Sequence, residues 1–134
     1  MFRLRNKVSI KRVLKFYFYA DEYSRLIDWK ISACAKNSVN RSGEECAEEM
    51  IELIEDKSIL SEYWEYLEKV LAGFTNEEKK VLKFYCVLRA GVRRLGAAER
   101  AEIKRCAVKF RRRARRLDSF YEGYAVAAKY CCAI

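Results

Sequence analysis

The chain has 134 residues, of which 51% are hydrophobic and 35% charged, and its formal net charge at pH 7 is +9. This length suits one domain, and the hydrophobic share excludes general disorder. The sequence contains neither an apolar run long enough to cross a bilayer nor an apolar signal-peptide core near residue 1, so we expect a cytoplasmic protein.

Histidine and proline are both absent, and the five glycines never form a phosphate-binding loop. Without histidine, the chain lacks the commonest general base and the commonest metal ligand. The six cysteines include no CxxC pair, so a zinc site would need widely spaced thiolates. We therefore predict a protein without catalytic activity, cofactor or metal. Four cysteines are interpreted as small buried hydrophobic residues: Cys34, Cys46, Cys86 and Cys106.

The first predicted element is one long helix over residues 9–36. Ser9 can cap it, and apolar residues recur at steps of three and four as far as Cys34. The segment NSVNRSG (37–43) is a predicted loop. Trp29 and Trp64 fall near apolar stripes, so we interpret both as core residues.

A second long helix is predicted up to about residue 74, starting at a capping box formed by Ser42 and Glu45. The sequence leaves open a kink or restart near Ser58. The predicted exposed face is strongly acidic. The predicted buried stripe consists of Met50, Ile54, Leu60, Trp64, Leu67, Leu71 and Phe74.

Two further helices are predicted after Gly73. Thr75 and Glu78 form a second capping box for a helix over about 76–90, and residues 91–100 are short-helical or turn-like with a bend at Gly96. The inward residues of that helix are Val81, Leu82, Tyr85 and Leu88. The last helix carries a regular apolar stripe that suits either an intramolecular seam or a homodimer: Ile103, Ala107, Phe110, Ala114, Leu117, Tyr121, Tyr124 and Ala128.

Charge is divided into blocks along the chain. Residues 1–43 carry a net +7, residues 44–78 a net −10 and residues 79–118 a net +12. The densest block, KRCAVKFRRRARR (104–116), has eight cations and no acid. Such a block repels itself unless anions compensate it. Those anions are either the chain's own acidic segment or a polyanionic partner.

A helix with one apolar face and cations on its other faces is typical of a nucleic-acid-binding element. All five cations within residues 111–116 are arginines, and arginine makes bidentate contacts to phosphate and guanine. We therefore predict nucleic acid as the partner, DNA in preference to RNA. The candidate contact residues are Lys79, Lys80, Arg93, Arg94, Arg100, Lys104, Arg105, Lys109, Arg111, Arg112, Arg113, Arg115 and Arg116.

Residues 67–117 resemble the C-terminal helix-turn-helix (region four) of bacterial sigma factors and of small phage-borne, sigma-like transcription regulators. The segments that carry the resemblance are KVLAGFTNEEKKVLKFY and RRLGAAERAEIKRCAVKFRRRARRL. The resemblance implies a transcription regulator that binds duplex DNA, with RNA polymerase as a further candidate partner. It places Lys79 and Lys80 on backbone phosphate, and it places Arg100, Lys104, Arg105 and Arg112 in the groove.

The predicted fold is all-α: a long helical hairpin (1–74), then a helix-turn-helix-like module (75–134) with a long basic C-terminal helix, the two forming either separate units or one compact domain. The alternative function is a helical interaction module whose basic helix pairs with an acidic protein or an anionic membrane. The terminal CCAI has the C-a-a-X form of a prenylation signal at Cys131. Because it continues an apolar helical run, we expect a buried helix end instead of a membrane anchor.

Overall fold

The computed structural model describes residues 8–36, 43–88, 95–114 and 121–131, and within these ranges the chain forms six helices and no strand. The prediction of an all-α fold is confirmed. The helices are α1 (Ile10–Phe18), α2 (Ala20–Lys36), α3 (Gly43–Leu71), α4 (Asn76–Val87), α5 (Ala97–Arg113) and α6 (Tyr121–Tyr130).

The prediction of one helix over residues 9–36 is wrong, because the backbone breaks at Tyr19. This residue caps the end of α1 with φ −118° and ψ 27°. Ser9 begins α1 as predicted, and its hydroxyl accepts a hydrogen bond from the Arg12 amide at 3.4 Å. Neither glycine nor proline is present at the break, so its cause lies in tertiary packing.

Aromatic side chains on both sides of the break account for it. Phe16 stacks on Tyr63 of α3 and meets Tyr23 of α2 edge-on, with ring centroids 5.5 and 5.1 Å apart. Tyr17 stacks on Trp64, whose indole N–H donates to the Tyr17 carbonyl at 3.1 Å. In a straight helix Phe16 and Tyr23 would lie roughly 10 Å apart along the axis, so the break at Tyr19 lets the two rings meet.

The α3 helix runs without interruption past Ser58, so the possible restart there does not occur. Two expected core residues are misplaced: Ile54 is 55% exposed and Trp29 is 66% exposed. Leu53 and Asp56 occupy the inward positions of α3 where Ile54 was expected. The prediction failed because charged and apolar residues alternate irregularly here, and an aspartate was not counted as inward-facing.

The α2 and α3 helices pack as an antiparallel pair. Cys34 Sγ lies 3.5 Å from the Cys46 carbonyl oxygen, and the Asp28–Lys57 ion pair of 2.8 Å lies further along the same α2–α3 pair. The buried Asp56 joins α3 to α6, because it accepts hydrogen bonds from Lys129 at 3.2 Å and from the Tyr130 hydroxyl at 2.6 Å. In addition, α1 packs on α4, and α4 packs on α5.

The continuous stripe predicted for the last helix is divided between two helices. The α5 helix ends at Arg113, and Ala114 caps it with φ −90° and ψ 51°. Ile103, Phe110 and Ala114 are buried as predicted. The helix ends within the cation-rich block, where like charges four residues apart destabilise a helix. The α5 half packs on α4, whereas the α6 half packs on α3.

The core combines side chains from all the helices, and its largest fully buried members are Tyr23, Tyr63, Phe16 and Phe110. The four cysteines predicted to behave as small hydrophobic residues are all buried, which confirms that interpretation. None of the helices in the described ranges combines the length and the apolar character that crossing a membrane requires.

Some predictions concern residues outside the described ranges. They are the 37–43 loop except Gly43, the Ser42 half of the first capping box, the last two residues of the predicted 76–90 helix, residues 91–94 of the 91–100 connection, Leu117, and the CCAI end apart from Cys131. In the described part of that connection, Gly96 is the N-cap of α5. The division of the chain at residue 74 stays a prediction.

Gly123 provides a test of the α3–α6 packing. A Cβ at this position would lie 2.6 Å from Cγ and 2.8 Å from Cβ of Tyr63, which is too close for either helix to accept without moving. Although alanine favours a helix over glycine by roughly 1 kcal/mol, we expect Gly123→Ala to lower the free energy of unfolding by about 1–3 kcal/mol through overpacking. Urea denaturation followed by circular dichroism measures this change.

Gly43→Ala is the matched control, because a Cβ there meets no atom within 4 Å. Its free energy of unfolding should stay within about 0.5 kcal/mol of the wild type. A Gly123→Ala variant as stable as the wild type would contradict the described contact between α6 and Tyr63.

Candidate nucleic-acid interface

The α4 helix begins at the predicted Thr75–Glu78 capping box, which the structure confirms. The Glu78 amide donates to the Thr75 hydroxyl at 3.1 Å, and the Thr75 amide donates to Oε1 of Glu78 at 2.9 Å. This exchange satisfies two amides that the first turn of a helix leaves free. It also fixes the Glu78 carboxylate at the start of α4, facing α5.

The Glu78 carboxylate binds two cations of α5. Lys109 Nζ lies 2.8 Å from Oε1 and 3.0 Å from Oε2, and Arg105 Nη1 lies 3.1 Å from Oε2. The side chain of Glu78 is almost fully buried, with the whole residue only 7% exposed. The hydrogen bonds from Lys109, from the Thr75 amide and from Arg105 lower the pKa of Glu78 from 4.5 to about 2.

Both cations have further partners. Arg105 also pairs with Glu102 one turn earlier, and this contact, together with Glu78, raises the pKa of the Arg105 guanidinium. Lys109 Nζ lies 4.6 Å above the centre of the Phe74 ring, which is a favourable cation–π position. Arg105 and Lys109 are therefore neutralised within the protein, although both were predicted as nucleic-acid contacts.

Four further cations of α5 form a separate surface. Arg100, Lys104, Arg111 and Arg112 are all exposed, and we call these four residues the basic ridge. None of the four makes an ion pair with a residue in the described ranges. The contact described for this group is a hydrogen bond of 3.4 Å from Arg111 Nη2 to the Val8 carbonyl. The basic ridge thus retains its charge for an external anion.

The remaining predicted contact residues are dispersed. Lys79 is half-buried on α4, and Lys80 lies 3.6 Å from Glu77 in an exposed ion pair. Arg113 is exposed, and its guanidinium lies over Gly73, where the missing side chain leaves room for it. The other four lie outside the described residues: Arg93, Arg94, Arg115 and Arg116.

In the described part of the chain, the acidic segment 44–78 pairs its acids with cations of α4, α5 and α6. Among the described ion pairs, Glu78 is its one acid that contacts a cation of α5. Glu52 and Asp56 pair with Lys129 of α6 instead. Glu45, Glu48, Glu49 and Glu52 line a groove of about 870 Å³ beside the exposed Trp29. Compensation of the basic helix by the acidic segment is therefore confined, in the described part of the chain, to Glu78.

Sequence reasoning missed the second role of Glu78. The spacing from Thr75 identified this residue as part of a capping box, and a box needs only one of its two carboxylate oxygens. The other oxygen was available for a partner, but the sequence contained no signal that Lys109, 31 positions later, would reach it.

Within the residues described, no cluster of three or more cysteine, aspartate or glutamate side chains is arranged to hold a metal ion. The chain matches no protein-family model, and it shows no match to a curated protein or to a solved structure. The geometry and the charges of α4 and α5 therefore provide the evidence for function.

The lowered pKa of Glu78 predicts a specific loss of stability in acid. The unfolded chain binds a proton at Glu78 near pH 4.5, whereas the folded chain binds it near pH 2. The contribution of the carboxylate is therefore complete above pH 4.5 and disappears as the pH falls from 4.5 towards 2. We expect Glu78→Gln to be less stable than the wild type at pH 7, with the difference shrinking across this interval.

Urea midpoints measured between pH 7 and pH 2.5 test this expectation. Glu77→Gln is the matched control, since Glu77 is exposed in the same turn and its ion pair with Lys80 is solvent-screened. The wild-type and Glu77→Gln curves should remain nearly parallel. A constant difference between wild type and Glu78→Gln over the whole pH range would show that the carboxylate does not bind the two cations.

Proposed function

We propose that this protein binds nucleic acid, with duplex DNA as the preferred form, through the basic ridge of α5. The observation that carries the proposal is that Arg100, Lys104, Arg111 and Arg112 are exposed and make no ion pair with a described residue, whereas Arg105 and Lys109 on the neighbouring flank are compensated. Uncompensated cations on one helix face attract a phosphate backbone and release its condensed counterions.

The length of the basic ridge suits a phosphate backbone. Arg100 and Arg112 are twelve positions apart on α5, which corresponds to roughly 18 Å along the helix axis. One strand of B-DNA places about five phosphates within that distance, at 3.4 Å of rise per nucleotide. Three of the four ridge residues are arginines, which bind phosphate or guanine through two hydrogen bonds at once.

The resemblance of residues 67–117 to region four of sigma factors favours duplex DNA over RNA. On this proposal the protein is a cytoplasmic, sigma-like transcription regulator without catalytic activity, of the kind that phages carry. RNA polymerase is its candidate protein partner, and a homodimer is its candidate assembly. By that resemblance, α5 would be the helix that enters the major groove, and α4, which packs on it, would be the helix that supports it.

The first test removes three charges from the basic ridge. We expect Arg100→Gln/Lys104→Gln/Arg112→Gln to bind a fluorescein-labelled 24-base-pair duplex at least ~10-fold more weakly than the wild type at 50 mM salt. The plot of log K against log salt should become shallower by about 2 to 3, because each lost phosphate contact removes roughly 0.9 from the slope. Fluorescence anisotropy measures both quantities.

A control with the same loss of charge is Arg25→Gln/Lys30→Gln/Lys36→Gln. These residues are exposed on α2, which packs on α1, α3 and α6. Its affinity should stay within about threefold of the wild type. If the two triple variants lose affinity equally, binding depends on net charge and not on the basic ridge. Negligible retention of duplex DNA, single-stranded DNA and RNA by the wild type at low salt would refute the proposed function.

A second test uses Glu78, which competes with an external phosphate for Arg105 and Lys109. We expect Glu78→Gln to bind the same duplex more tightly, with the salt slope steeper by up to about 2, because two further cations become available. Glu77→Gln again provides the control, and circular dichroism verifies that both variants are folded at the assay temperature. An unchanged salt slope for Glu78→Gln would mean that these two cations do not reach the bound DNA.

A further inference from the structure

A groove with an apolar floor lies beside the basic ridge, between α1, α4 and α5. It has a volume of about 790 Å³. Its floor is formed by Ile10, Tyr85, Ile103, Ala107 and Val108, and its rim is formed by the four residues of the basic ridge. None of the described residues that line it is acidic. The groove therefore combines an apolar floor with a rim whose charges are all positive.

The floor distinguishes the occupant of this groove from a nucleic acid. Four of its five residues are aliphatic, and Tyr85 is half-buried, with Lys11 Nζ 5.7 Å from the centre of its ring. Bases bind to flat aromatic surfaces, whereas aliphatic floors accept leucine, isoleucine and similar side chains. Val108 is 41% exposed between Lys104 and Arg112, so an apolar side chain can reach it directly.

We propose that this groove binds an acidic amphipathic helix of a partner protein. The apolar face of that helix would lie on Val108 and Ile103, and its flanking carboxylates would pair with Arg100, Lys104 and Arg112. Charge complementarity with the basic ridge identifies the occupant as acidic, and the aliphatic floor identifies it as amphipathic. This inference concerns a protein partner and stands independently of the proposed DNA binding.

The two partners would exclude each other. The basic ridge is the rim of the groove and is also the surface that we assign to DNA, so a carboxylate and a phosphate would need the same guanidinium groups. An acidic partner helix would therefore displace DNA from α5, and DNA would displace the helix. Competition is measurable even where each affinity is modest.

The test uses the full chain and a synthetic probe. The probe is a fluorescein-labelled 21-residue peptide with leucines at positions i, i+3, i+4 and i+7 of each repeat and glutamates on both flanks. The controls are a peptide of the same composition with its leucines scrambled around the helix, and a polyglutamate peptide of the same charge. We expect the amphipathic peptide to bind at least ~10-fold more tightly than either control, because only its apolar side chains can fill the floor.

A substitution on the floor separates the two functions. Val108→Ser should weaken binding of the amphipathic peptide by about fivefold or more and leave duplex DNA affinity within about twofold, because it removes apolar area and no charge. The matched control is Val87→Ser, at a valine on α4 that is 49% exposed and lies outside the groove lining. Its affinities for both ligands should equal those of the wild type.

Equal binding of the amphipathic, scrambled and polyglutamate peptides would overturn the inference and leave the proposed DNA binding intact. If the wild type does not bind DNA but binds the amphipathic peptide, and Val108→Ser weakens that peptide binding, the proposed function is refuted and this inference is not. If single-stranded DNA binds more tightly than the peptide and is the ligand that Val108→Ser weakens, the groove belongs to unpaired bases, and the partner-helix assignment is wrong.

Discussion

The arrangement of the candidate site depends on the ion pairs between the Glu78 carboxylate and the two cations Lys109 and Arg105. A carboxylate that is nearly buried must be compensated, and this one is also held in place by the Thr75 amide. The contact attaches one flank of α5 to the first turn of α4. Because a helix is rigid across its width, fixing that flank determines which residues face outward. The basic ridge is exposed as a consequence of this attachment as well as of its own polarity.

Within the described residues, the acidic segment 44–78 forms ion pairs with α5 only through Glu78. Five of the ten acidic residues of α3 line a groove shared with α2 and α6, where Lys129 and the Tyr130 hydroxyl compensate Asp56. A single glutamate from the acidic segment is used against α5 in the described structure. The molecule therefore keeps an acidic groove beside Trp29 and a basic groove beside Val108. The basic groove, whose rim cations make no ion pair with a described residue, remains available to an external partner.

Sequence reasoning identified the parts of this fold that are encoded locally. The Ser9 cap and the Thr75–Glu78 box depend on neighbouring residues, and both were found from spacing alone. The break at Tyr19 was missed because its cause is the packing of Phe16 and Tyr17 against α3, which no local signal reveals. The end of α5 at Arg113 was missed for a related reason, since the apolar stripe continues in sequence while its packing partner changes from α4 to α3. The four residues of the basic ridge were among the predicted contacts. Only the position of Glu78 separates them from Arg105 and Lys109, which it compensates.

The separation between flank and ridge gives α5 two kinds of cation with different chemical consequences. Arg105 and Lys109 already pair with a carboxylate, so an incoming phosphate would gain little from them unless Glu78 were displaced. Arg100, Lys104 and Arg112 are exposed and lie beside aliphatic surface, so a partner that covers the groove would remove water from apolar area while it pairs with the rim. By formal charge alone, these five cations are equivalent. In the fold they differ, because Glu78, which also caps α4, pairs with Arg105 and Lys109 and not with the other three.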